Sequence, residues 1–104
     1  MRRLAAFLLL AFSFPANAQL DYLVDWDAVG EEANGFLVDL VRIDSSNPPG
    51  NETRVAEYLQ NVFAGEGIES EMFALDPDRA NLVVRYRGNG SKPPILIMGH
   101  TDVV

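Results

Sequence analysis

The one histidine of the chain, His100, lies two residues before Asp102 and follows an apolar run, Ile95-Leu96-Ile97-Met98, that Gly99 ends. An imidazole and a carboxylate at that spacing suit metal chemistry. Neutral imidazole binds zinc through one ring nitrogen, while a carboxylate accepting a hydrogen bond from the other nitrogen fixes the tautomer and makes the ligand more basic. Residues two apart in an extended segment project to the same side. At this spacing His100 could serve as a metal ligand and Asp102 as the catalytic carboxylate that orients it, with Thr101 as a spacer. A lone histidine after a strand is, without other context, a hydrogen-bonded structural residue, and a lone Asp there is a turn or cap acid. One imidazole is also no metal site, because zinc centres take at least three protein ligands.

Two helices and three strands are expected to carry this pair. Asp25 is an N-cap candidate with Asp27, Glu31 and Glu32 near the positive end of a helix dipole, and Val29, Ala33, Phe36, Leu37, Leu40 and Val41 give one apolar face that ends near Arg42. Residues 44–50, Asp-Ser-Ser-Asn-Pro-Pro-Gly, break the helix, since two prolines fix φ and remove two donors. Asn51 is expected to cap a second helix burying Val55, Leu59, Val62 and Phe63 and ending at Gly65 or Gly67. Strands are expected over 68–75 and 82–87, the second with one solvated face. After the turn residues 88–94, the run 95–98 has no polar residue, as a central strand covered on both faces would. Arg42, Arg54, Arg79, Arg85 and Arg87 are read as scattered surface charges, and Glu66, Glu69 and Glu71 as a solvated edge.

The first residues form a different kind of segment. Met1-Arg2-Arg3 is cationic, 4–14 is almost wholly apolar, and Ala16-Asn17-Ala18 offers small residues for cleavage, so 1–18 reads as a secretory signal peptide cut after Ala18. About eleven apolar residues are too few for a spanning helix, which needs ~20. Cleavage would leave 86 of the 104 residues and take the formal charge from −7 to −9, because two basic and no acidic residues are lost. Such a surface disfavours nucleic acid and anionic lipid as partners. With no cysteine, disulfides and thiolate chemistry are excluded. The product is expected to be secreted or periplasmic, without stable membrane insertion. Asn51-Glu52-Thr53 and Asn89-Gly90-Ser91 fit the N-glycosylation pattern, which matters only in a eukaryotic secretory pathway.

Three stretches together are specific. Leu40 to Asn51 (LVRIDSSNPPGN), Asn81-Leu82-Val83-Val84 and the closing GHTDVV resemble, in order and at similar distances, the start of the aminoacylase, acetylornithine deacetylase, succinyl-diaminopimelate desuccinylase and glutamate carboxypeptidase family of zinc metallohydrolases. The resemblance runs from about Val29 to Val104, the first third or so of a full-length member. It implies two Zn2+ per catalytic domain, with His100 on one of them and Asp102 holding its imidazole. It also implies that a bridging Asp, a general-base Glu, further acidic ligands and a second His lie downstream. Together these would activate a metal-bridging water for attack on an amide carbonyl.

The resulting expectation is an α/β fold: the incomplete N-terminal part of a zinc-exopeptidase-like domain, helices packed on a mixed β-sheet, occupying 19–104. Its function would be that of an exported zinc-dependent metallopeptidase or amidohydrolase, a carboxypeptidase or deacylase, acting on small peptides or N-acyl amino acids. The chain would be truncated after its first metal motif and inactive as it stands, and a homodimer is one state open to the full-length protein. The alternative from another class is a non-catalytic binding or interaction domain, or an inactive fragment. Against it stand the unpaired strand edges that so short a chain would expose.

Overall fold

The computed structural model describes residues 23–104, so the signal-peptide reading of 1–18 lies outside the described residues. Helix α1, Trp26–Arg42, begins where expected: the Asp25 side chain accepts from the Ala28 amide at 3.0 Å. It buries no residue. Its link to the next helix is polar, the Tyr58 hydroxyl donating to Asp39 Oδ2 at 3.1 Å. Among the described residues no helix is long and apolar enough to cross a membrane.

Helix α2, Glu52–Gly65, is held differently from the expectation. Asn51 occupies the cap position, but its side chain makes no capping bond. Instead, a free amide at the helix start is met from across the fold, the Thr53 N–H donating to the Asp78 carbonyl at 3.0 Å. The Thr53 hydroxyl donates to the Pro77 carbonyl at 2.7 Å and accepts from the Ala80 amide at 2.9 Å. The first of these bonds satisfies one orphan donor of the helix N-terminus, and all three fix the loop that leads into the sheet.

That sheet is an antiparallel pair, β1 (Ser70–Phe73) with β2 (Asn81–Val84), in the register Ser70↔Val84 to Phe73↔Asn81. Helix α2 packs across both strands. The small core of Val55, Ala56 and Ala80 lies where the helix start meets the loop before β2. Both strands are shorter than expected, and Leu82, Val83 and Val84 are all half-buried, so β2 shows no alternation between a wet and a dry face.

Two expectations need correction. Among the described residues the sheet is not mixed: it has two antiparallel strands, and the parallel element is an isolated bridge between Ser46 and Val103. The run 95–98 is no buried central strand either, since each of its four residues is at least 80% exposed. An extended segment becomes a strand only when a neighbour meets its N–H and C=O groups. Among the described residues none does so, and an unbroken apolar run says nothing about where its neighbours come from. The coarser α/β reading stands.

Candidate functional site

The site is built where the loop after α1 meets the end of the chain. Asp44 starts that loop with a local turn, its Oδ1 accepting from the Ser46 amide at 3.1 Å. The Ser46 hydroxyl and amide hold the Asp44 carboxyl below its usual range. Ser45, 3% exposed, turns inward. Its hydroxyl donates to the Thr101 carbonyl at 2.7 Å, its carbonyl accepts from the Val103 amide at 3.3 Å, and the Asn47 amide donates to the Val103 carbonyl at 2.7 Å. The Ser-Ser-Asn and His-Thr-Asp-Val stretches, more than fifty residues apart in sequence, thus lie side by side.

The structure brings His100 and Asp102 together as their spacing predicts. His100 Nδ1 lies 3.1 Å from Asp102 Oδ1 and 3.2 Å from the Asp102 carbonyl oxygen. A carboxylate and a carbonyl oxygen both accept, so Nδ1 carries the proton and the Nε2 lone pair is left for a ligand. The imidazole is largely exposed, which makes the contact with Asp102 a weak stabiliser and a geometric guide.

Both residues line a groove of about 860 Å³ whose apolar lining includes Leu59, Phe63, Leu82, Val84 and Ile95. The same groove is lined by a cation that the sequence reading had set aside. Arg79 Nε and NH2 donate to the two Glu52 carboxylate oxygens at 3.2 and 2.8 Å. Those hydrogen bonds first, and then the Glu52 charge, raise the guanidinium above its ordinary range against the opposing effect of burial, with smaller contributions from Asp102 and Asp76. Arg79 is therefore no scattered surface charge but the fork that neutralises a buried carboxylate. Arg85, by contrast, pairs on the surface with Glu71 at 3.1 Å.

Comparison with known proteins gives a consistent relationship. Over 69 residues, 66% of the chain, the sequence is 40% identical to a protein from Staphylococcus aureus strain Mu50 named probable succinyl-diaminopimelate desuccinylase. It is 38% identical over the same length to a protein of that name from Staphylococcus epidermidis strain RP62A. Over that stretch the chain is similar to proteins that carry this name. The resemblance carried by LVRIDSSNPPGN, NLVV and GHTDVV is thereby shown, although the matched stretch spans only 16% of the length of these relatives, below the expected third. No family model and no solved structure matches the chain.

For the zinc that the resemblance implies, the donor set present is partial. Among the described residues no group of three or more His, Cys, Asp or Glu side chains is gathered to hold an ion. His100 with a free Nε2 and Asp102 on its other nitrogen make one ligand and its support, short of the three ligands a zinc centre takes.

Ser45 and the Glu52–Arg79 pair are functional candidates that sequence reasoning missed. Ser45 sits in a stretch whose prolines suggest only a connector, and Arg79 is separated by twenty-six residues from a partner that reads as a first-turn helix acid. The Asp44 turn yields a prediction with a definite sign. A carboxyl held below its usual value contributes stability that is complete above the unfolded-state pKa and is lost as pH falls through the folded one. The Ser46 amide resonance should therefore move with a midpoint below the ordinary value of 3.8. Movement centred above that value in an NMR titration would contradict it.

Proposed function

We infer that this chain is the N-terminal portion of a metal-dependent amide-bond hydrolase in which His100 is the first metal ligand and Asp102 its orienting carboxylate. The observation that carries this reading is the contact from His100 Nδ1 to Asp102 Oδ1, which leaves Nε2 free on a residue that lines a groove. Zinc, when bound, would supply a water of lowered pKa and a Lewis acid for the carbonyl. The chain's own part is to present one imidazole in one tautomer, to carry the carboxylate that fixes it, and to wall one side of the groove.

The names of the relatives favour an N-acyl amino acid, the amide of a dicarboxylic acid included, over a long peptide as substrate. Small peptides are the second substrate class of the same reading. Export through 1–18 would put that hydrolysis outside the cytoplasm, and homodimerisation of the full-length protein belongs to the same proposal.

The test is hydrolysis of N-succinyl and N-acetyl amino acids and of dipeptides by the full-length gene product, with and without a chelator and added zinc. Chelator-sensitive cleavage of an N-acyl amino acid supports the reading, and no cleavage of any of them, or cleavage indifferent to chelation, overturns it. In the same protein Asp102→Asn should weaken zinc binding by about 10–100-fold, the usual cost of losing a carboxylate behind a ligating His. Metal titration followed by calorimetry checks this, and an unchanged affinity would remove Asp102 from its role.

A further inference from the structure

We propose that Ser45 is a positioning residue for the His100–Asp102 pair, an inference that rests on the metal-ligand reading of His100. The Ser45 hydroxyl donates at 2.7 Å to the carbonyl of Thr101, the residue between the two functional side chains. Its own carbonyl takes the Val103 amide, and the Asn47 amide takes the Val103 carbonyl. The backbone is thus gripped at 101 and at 103, on either side of Asp102. Among the described residues these are the hydrogen bonds that tie 99–104 to the rest of the chain.

The grip acts on main chain alone and touches neither the imidazole nor the carboxylate. Its effect on them is geometric. The 3.1 Å contact between Nδ1 and Oδ1 needs residues 100 and 102 to face the same way, which holds only while the intervening peptide stays extended. Ser45 is 3% exposed, so the hydroxyl meets Thr101 with little competition from water. A buried hydroxyl at this point sets the orientation of an otherwise exposed ring.

Because His100 is the chain's one histidine, its tautomer can be read without assignment ambiguity. The experiment records long-range nitrogen–proton spectra of the full 104-residue chain near pH 8, above the ordinary imidazole pKa of about 6.5. The unaltered chain should show mainly the Nδ1–H form. Ser45→Ala should lower the ratio of Nδ1–H to Nε2–H by about three- to tenfold, the weight of one net hydrogen bond. Ser45→Thr, which keeps a hydroxyl, should hold the original ratio. If the alanine variant loses its dispersed amide spectrum, Ser45→Cys, close in size and a weak donor, replaces it and should show the same fall.

A ratio unchanged in a folded Ala or Cys variant overturns the proposal, since a merely structural Ser45 would alter stability and leave the tautomer alone. An unaltered chain already in the Nε2–H form overturns both this inference and the ligand geometry beneath it. A full-length protein that hydrolyses no amide, with the tautomer still following the Ser45 hydroxyl, overturns the functional reading and leaves the clamp standing.

Discussion

Gly50→Ala is expected to destabilise the fold by about 2–5 kcal/mol. Two independent effects add. Gly50 has φ of 86°, a region in which an L side chain costs roughly 1–2 kcal/mol. A Cβ at this position would also meet Glu52 Oε2 at 2.9 Å and Arg79 Nε at 3.1 Å, and crowding a packed spot costs typically about 1–3 kcal/mol. The neighbours cannot simply swing away, because each oxygen of the Glu52 carboxylate is already bonded to the guanidinium. Urea unfolding of the alanine variant beside the original chain measures the loss. A midpoint within error of the original would mean that the loop relaxes without strain.

The position of Gly50 explains why the Pro-Pro-Gly loop matters to a site it does not enter. At one end the loop grips the backbone of the His-Thr-Asp-Val stretch through Ser45 and Asn47, and at the other its glycine lies against the Glu52–Arg79 fork. Between them the Gly50 amide donates to the Ser46 carbonyl at 2.9 Å and closes the turn. The loop is a short strut between helix α2 and the candidate ligand.

Much of this could be read from sequence because it is local. Asp25 caps α1 through a bond to a residue three positions on, and His100 meets Asp102 two positions on, so spacing alone predicts both contacts. What escaped was long-range. Ser45 and Thr101 are separated by fifty-six positions, Glu52 and Arg79 by twenty-seven, and no periodicity links such pairs. The Asn51 cap failed for the same reason: the helix amide at Thr53 had a better acceptor waiting in a distant loop, at Asp78. The run 95–98 failed because apolar composition specifies a wish for burial and not the partner that provides it.

The Glu52–Arg79 fork gives the second large effect, and its two halves should behave unequally. The Glu52 side chain is 8% exposed and that of Arg79 is 42% exposed. Arg79→Met would leave a buried carboxylate with neither counter-ion nor donors, a situation that costs about 3–5 kcal/mol where both partners are buried. Water reaching the arginine offsets part of that cost, so the expected loss falls below the range for a fully buried pair while staying the larger of the two single changes. Glu52→Gln leaves a guanidinium that water still reaches and an amide that can accept one of its bonds, so its cost should be nearer 1 kcal/mol. Combining the two removes the stranded charge, and the double variant should be more stable than Arg79→Met alone. Denaturant unfolding of the four proteins forms the cycle that reads this coupling. Equal losses from the two single changes, or losses that simply add in the double variant, would show that the fork behaves as an ordinary surface ion pair and leaves Glu52 sufficiently hydrated by itself.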